Sequence, residues 1–309
     1  MSILIVSLGR NLDTWIEALK KTDPSVPVLK PDQVTNPSEI TFALAWNHPP
    51  GMFRDYPNLG CISSFGAGVD HLVQDPDIPA HVAIARIIDP LLSQDMYEFA
   101  LTVTMKHFRR LSVFFRYQLE KQWKKHRYQR IKDVKVGVMG TGMIGDHVAK
   151  QFRKVGFEVI GWGRTYREER NYKRYYGLNQ LNAFLAETDI LICLLPLTDS
   201  TKGIINHDLL MTLPQGAYVI NLGRGPHVVD EDLIRVIDDG HIAGAHLDVF
   251  DPEPLPAEHP FWSHPKIDIT PHVASITDPY VLASQVIDNY HRLMNNKPLQ
   301  HVISREKGY

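Results

Sequence analysis

Cysteine is nearly absent: two residues in 309, Cys61 and Cys193, each inside an apolar segment (LGCISS and ILICLL). Two buried thiols exclude a disulfide framework, and no cysteine or histidine spacing suggests a metal site, so none is expected. The chain also lacks a charge excess of either sign. Lys and Arg total 33 against 35 Asp and Glu, which removes any global attraction to nucleic acid or to an anionic membrane. No apolar run approaches the roughly 18 residues that suggest a membrane span. The opening MSILIVSLGR has neither a basic stretch before its short apolar run nor a cleavage-type segment after it. The expectation is a cytoplasmic protein with no nucleic-acid or membrane partner. Repeats and low-complexity segments are missing as well.

What is present is an alternation of strand-like and helix-like segments, 44% apolar and 22% charged, long enough for two domains. Ser2 to Ser7 reads as a strand, and Asn11 to Lys21 as a helix with Leu12, Trp15, Ile16 and Leu19 at helical spacing. Strand-like runs come next at Ile40 to Trp46 and Gly60 to Ser64, the pattern of a small parallel α/β unit. From Leu92 to Trp123 Gly and Pro are scarce and apolar residues recur every three or four positions, which predicts one long helix out of that unit. A second alternation begins at Val134, Val136 and Val138. It continues through helix 144–155, strand 157–162 and strands at 189–194, 217–222, 242–249 and 266–270. An apolar-periodic stretch from Pro279 to Met294 predicts a last helix crossing back to the first domain. The expected division is residues 1–99 with 278–309, and residues 100–277.

Gly140-Thr141-Gly142-Met143-Ile144-Gly145 joins the valine-rich strand to its helix. A lone G-x-G-x-x-G is weak evidence, but strand, glycine turn, helix and closing strand together are the context a dinucleotide needs. The first glycine allows the tight turn and the second lets backbone approach a pyrophosphate. The third lets helix and strand pack, with the helix N-terminus facing the phosphates. An acidic residue about 20 positions on would accept from the ribose 2′-hydroxyl of NAD. Gly163 stands there instead, with Arg164, Thr165 and Arg167 after it. Guanidinium forks suit a 2′-phosphate, so NADP is expected, with NADPH preferred and NAD possible. A solvated basic loop is the competing reading, since Arg167, Arg170, Lys173 and Arg174 alternate with Glu168 and Glu169.

Three further residues, Arg224, Glu253 and His272, each stand just past an apolar strand-like run. Parallel strands deliver the residues at their carboxyl ends to one rim, where ligands bind. An arginine, a carboxylate and a histidine there can hold a carboxylate substrate and pass it a proton, which with a dinucleotide amounts to hydride transfer to a small keto acid. The turn Ser64-Phe65-Gly66-Ala67-Gly68-Val69 can offer successive amides to a carboxylate, with Ala67 and Gly68 as candidates. Trp46 is either a pocket wall or a core residue.

The segments SFGAGVDHL, VGVMGTGMIG, LLPLT, NLGRG, HLDVFDPEPLP and ITPHVASIT, in that order, resemble the D-isomer-specific 2-hydroxyacid dehydrogenase family. ALAWNHPPG, QDMYEF and the terminal EKGY resemble its glyoxylate/hydroxypyruvate reductase A subgroup. The resemblance implies an α/β protein of two domains: a Rossmann-type doubly wound parallel sheet for NAD(P) and a smaller flavodoxin-like substrate domain. It implies Arg224 as substrate-orienting residue, His272 as acid/base and Glu253 as its partner. Asp248 would lie near the nicotinamide, and Leu195, Pro196, Thr198 and Ser275 would meet the cofactor. Conversion of glyoxylate to glycolate and of hydroxypyruvate to D-glycerate is the activity it implies, in a homodimer with Trp123 as the candidate to reach across the interface.

Two features depart from the family pattern: Pro226 after the GRG turn, and MYEF where MAEY is usual. The Lys- and Arg-rich stretch from Lys106 to Lys132 carries Phe108, Phe114, Phe115, Tyr117, Trp123 and Tyr128, and is expected to show a buried face beside a solvated basic one. Two rivals stay open. One is a cofactor-sensing binding protein like the C-terminal-binding corepressors, the other an NAD-preferring phosphoglycerate- or formate-type dehydrogenase.

Overall fold

The computed structural model describes residues 1–8, 11–89, 91–166 and 171–305. The chain divides into two compact units, Met1–Pro90 with Thr277–Tyr309, and Leu91–Ile276.

In the first unit the elements are β1 (Ser2–Ser7), α1 (Asp13–Thr22), β2 (Val28–Leu29), β3 (Ile40–Trp46), β4 (Cys61–Ser64), α2 (Asp70–Val73) and β5 (Ala83–Ala85). All pair in parallel in the order β2-β1-β3-β4-β5, the flavodoxin-like order. Both faces are covered, so the strands read as continuous apolar runs rather than alternating ones. Ile3, Ile5, Phe42 and Leu44 face Trp15 and Leu19 of α1, together with Leu282, Val286 and Tyr290 from the C-terminal segment. Leu4, Val6 and Ala43 face Phe53, Leu72 and Ile78.

The second unit runs α3 (Leu92–Phe108), α4 (Leu111–Leu119), β6 (Lys135–Met139), α5 (Met143–Val155), β7 (Glu158–Gly163), β8 (Lys173–Tyr176), α6 (Leu181–Ala186), β9 (Ile190–Cys193), α7 (His207–Thr212), β10 (Ala217–Asn221), α8 (Asp230–Asp238), β11 (Ile242–Leu247) and β12 (Ile267–Ile269). Helix α9 (Pro279–Met294) then completes the first unit. The order β12-β11-β10-β9-β6-β7-β8, all parallel, is doubly wound. Ile190, Ile192, Tyr218 and Ile220 pack on one face with Val148 and Phe152 of α5. Leu191, Cys193 and Val219 pack on the other with Leu210, Leu233 and Val236. The expected fold class, two α/β units of these two types, is the one observed.

Three local expectations are corrected. The long helix from Leu92 to Trp123 is two helices, broken where Arg110 takes a left-handed backbone (φ 54°). The expected buried face does not reach α4: none of its residues is buried, Phe115 and Leu119 are exposed, and Trp123 beyond it is 95% exposed. Lys173 and Arg174 belong to an edge strand, β8, rather than to a solvated loop. Among the described residues no helix is long and apolar enough to cross a membrane.

Candidate active site

Strand order places the ends of β12, β11, β10, β9, β6 and β7 side by side in the second unit, and the candidate residues of that unit lie just beyond those ends.

The glycine turn after β6 has a separate reason for each glycine. Gly140 adopts φ 105°, and a Cβ there would lie 2.7 Å from the Leu194 carbonyl group. Its N–H donates to Trp162 O at 2.8 Å, tying the turn to β7. A Cβ on Gly145 would fall 2.0 Å from Gly140 O, so α5 sits on the turn at a distance only glycine allows. At Gly142 a Cβ would meet nothing within 4 Å, and φ is −70°. Neither packing nor backbone conformation demands glycine there, which leaves room kept at the N-terminus of a 13-residue helix. That open cradle, at the helix end whose first N–H groups have no partner within the helix, fits a dinucleotide pyrophosphate.

At the β7 end, Gly163 would bring a Cβ within 3.0 Å of Thr141 Oγ1, so a side chain there crowds the turn. Arg164 and Thr165 are exposed. Arg167 lies outside the described residues, as does the terminal EKGY.

After β9, Leu195 is buried while Pro196 is exposed. Thr198 N–H donates to Thr201 Oγ1 (2.8 Å), and Thr201 Oγ1 donates to Pro196 O (2.8 Å), closing a compact loop. After β10, the buried Asn221 side chain spans the next turn: its Nδ2 donates to Arg224 O at 2.8 Å, and its Oδ1 accepts from Gly223 N at 3.1 Å. A Cβ on Gly225 would lie 2.0 Å from the Phe250 carbonyl carbon, so the Arg224 turn lies directly against the segment that carries Glu253.

Arg224, Glu253 and His272 are brought together. His272 Nδ1 is 2.8 Å from Glu253 Oε2. Because an ionised carboxylate only accepts, Nδ1 carries the proton, and Nε2 is the atom left for chemistry. Glu253 Oε1 accepts from Phe250 N–H at 2.9 Å. Burial alone would raise the Glu253 carboxyl. The hydrogen bond and charge of His272, the Phe250 amide and the Arg224 guanidinium outweigh it and hold the group below its usual range. Glu253 therefore feels both of the other members.

His272 adopts φ 55°, a left-handed conformation uncommon outside glycine. The fully buried Asp248 holds it there. His272 N–H donates to Asp248 O (2.8 Å), Thr270 Oγ1 to Oδ1 (2.5 Å), Val273 N–H to Oδ1 (2.9 Å) and Ala274 N–H to Oδ2 (2.9 Å). Thr270 gives its proton to Asp248, so His246 Nε2, 3.0 Å from Thr270 Oγ1, must be the donor in that pair. Burial holds His246 neutral, its pKa lowered to about 4. Sequence reasoning singled out Asp248 but missed His246, Thr270 and His227, whose roles rest on contacts between strands. Ser275 Oγ is 3.3 Å from Asp95 Oδ2.

In the first unit, Trp46 ends β3 and its ring lies 4.6 Å from that of His71, tilted by 49°. The turn with Ala67 and Gly68 is braced by Ser64, whose Oγ donates to Gly68 O at 2.6 Å and accepts from Gly66 N at 3.3 Å. No group of three or more His, Cys, Asp or Glu among the described residues could hold a metal ion.

Comparison with known proteins gives the same outline. Residues 101–274 match the model of the D-isomer specific 2-hydroxyacid dehydrogenase NAD binding domain. A protein named glyoxylate/hydroxypyruvate reductase A from Photorhabdus laumondii is 35% identical over 96% of both chains. A solved NADPH-dependent glyoxylate/hydroxypyruvate reductase from Sinorhizobium meliloti, in complex with NADP and sulfate, superposes with a TM-score of 0.92 at 34% identity over 100% of each chain. A D-isomer specific 2-hydroxyacid dehydrogenase from Xanthobacter autotrophicus, in complex with NADPH and MES, does so at 0.92 and 36% identity over 100% of this chain and 99% of that one. The chain belongs to the D-isomer specific 2-hydroxyacid dehydrogenase family.

Proposed function

We propose that the chain is an NADPH-preferring 2-keto acid reductase that converts glyoxylate to glycolate and hydroxypyruvate to D-glycerate. The observation that carries this reading is the His272–Glu253 pair beside Arg224, on the same sheet rim as the Gly142 cradle. The names and bound cofactors of the relatives support the substrate and cofactor.

A bound reduced nicotinamide supplies the hydride. Arg224 binds the substrate carboxylate or carbonyl oxygen and stabilises charge developing on that oxygen. His272 donates a proton from Nε2 to the carbonyl oxygen, and Glu253, bonded to Nδ1, fixes the orientation of the ring. Gly140, Gly142, Met143, Ile144 and Gly145 form the phosphate turn, while Arg164, Thr165 and Arg167 meet the 2′-phosphate. Leu195, Pro196, Thr198, Asp248 and Ser275 are the remaining cofactor residues proposed. Trp46, Ala67 and Gly68 are proposed for the substrate, the unit that bears them acting as substrate domain and Leu91–Ile276 as NAD(P)-binding domain. The uncovered apolar residues of α4 support pairing with a second copy, in a cytoplasmic homodimer.

The test is loss of reduced-nicotinamide absorbance when NADPH, or NADH, is mixed with the protein and each keto acid. Turnover faster with NADPH is expected. Tight NADPH binding with no turnover of either acid would replace this reading with that of a cofactor-sensing binding protein.

A further inference from the structure

His227 is fully buried three residues after Arg224, at the end of the short turn Gly225–His227. Its ring folds back over the start of that turn, where Nδ1 accepts the Arg224 N–H at 3.1 Å. Its Nε2 lies 3.3 Å from Pro196 O. A carbonyl oxygen only accepts, so the ring is the neutral Nε2–H tautomer: Nδ1 faces the Arg224 turn, with Cys193 Sγ of β9 also 3.8 Å from it, and Nε2 faces the Pro196 loop. The space is made for this ring: a Cβ on Gly223 would come within 2.9 Å of its Nδ1 and 3.0 Å of its Cε1. The backbone is engaged as well, Ile205 N–H donating to His227 O at 2.8 Å. His227 is thus a crosspiece between the loop after β9, which carries Pro196, and the turn after β10, which carries Arg224.

We infer that His227 is a positioning residue with two separable duties: Nδ1 sets the Arg224 turn for the keto acid, and Nε2–H sets the Pro196 loop for the dinucleotide. This rests on the proposed reductase reading, since it takes Arg224 and Pro196 as the two ligands' contacts.

The two duties can be removed one at a time. In His227→Asn the side-chain oxygen takes the place of Nδ1 and accepts from Arg224, but nothing reaches Pro196. In His227→Gln the side-chain nitrogen takes the place of Nε2 and donates to Pro196, and the bond to Arg224 is lost. His227→Gln should raise the keto-acid KM about tenfold and leave the NADPH Kd within about twofold. His227→Asn should do the opposite and more mildly, raising the NADPH Kd about threefold, because Pro196 O keeps its bond from Thr201 Oγ1. A merely structural histidine would move both constants together in both variants, and that result overturns the inference. Long-range proton–nitrogen NMR on the wild-type protein decides independently of whether the variants fold. An Nε2–H tautomer is expected at neutral pH, and an Nδ1–H tautomer overturns the inference. Failure of the wild type to reduce any keto acid would sink the proposed function alone. The NADPH arm and the tautomer would still judge His227.

Discussion

Adding one methyl group at Gly142 and one at Gly145 separates ligand binding from folding. In Gly145→Ala the new Cβ would sit 2.0 Å from Gly140 O and 3.0 Å from Gly140 C, both backbone atoms that cannot swing away. The helix must lift off the turn, an overpacking strain of about 1–3 kcal/mol. For a chain of this size that corresponds to a fall in Tm of roughly 2–10 °C. In Gly142→Ala the Cβ meets no atom within 4 Å, and φ of −70° suits any residue. Loss of unfolded-chain freedom favours alanine by about 0.4–1 kcal/mol. The helix N-cap position disfavours it by a similar amount, so Tm should move by about 2 °C or less. The methyl group would nevertheless stand where a pyrophosphate approaches backbone, and NADPH affinity should fall about tenfold or more. Thermal unfolding without ligand and fluorescence titration with NADPH measure the two quantities. A Gly142→Ala protein that binds NADPH as tightly as the wild type would refute the assignment of this turn to the phosphates.

His272→Ala should lower kcat by about 10²–10⁴ while leaving NADPH Kd unchanged, as read by steady-state kinetics and titration; near-normal turnover would remove it as the general acid. Replacing Gly163 with Asp and Arg164 with Gln should shift the ratio of kcat/KM values from NADPH toward NADH, and an unchanged ratio would count against the 2′-phosphate assignment. Burial lowers His107, stacked 3.7 Å above Tyr218, and His246 from 6.5 to about 4. Between those values the unfolded chain binds the proton and the folded one does not, so stability is full above pH 6.5 and falls as pH drops toward 4. Each contributes on the order of 3 kcal/mol, and urea unfolding of His107→Phe should show a smaller loss between neutral and acid pH than the wild type.

The parts legible in the sequence were those in which local pattern and tertiary need coincide. Strands β1 and β3 are apolar runs because both faces of the sheet are covered, and their ends match the expectation to the residue. Helix α9 begins on Pro279 and ends at Met294, as its periodicity predicts. The glycine turn and the trio were legible because each comes directly after a strand, and parallel topology converts that position into a shared rim. Edge strand β8 was hidden because Lys173 and Arg174 lack the apolar signal that a doubly covered strand requires. The break at Arg110 was hidden because neither Gly nor Pro marks it. Asp248, Thr270 and His246 form their chain across β11 and the end of β12, a pairing that no linear spacing announces.

The first unit is closed by a helix made last. Leu282, Val286 and Tyr290 fill the face against which Trp15, Leu19, Phe42 and Leu44 pack, yet the whole second unit is synthesised in between. At ~5–20 residues per second, the ribosome leaves that greasy surface uncovered for roughly ten to forty seconds. The newborn polypeptide is therefore a natural client for chaperones during this interval, and a stop codon before Pro279 would strip the first unit of that cover while sparing the second.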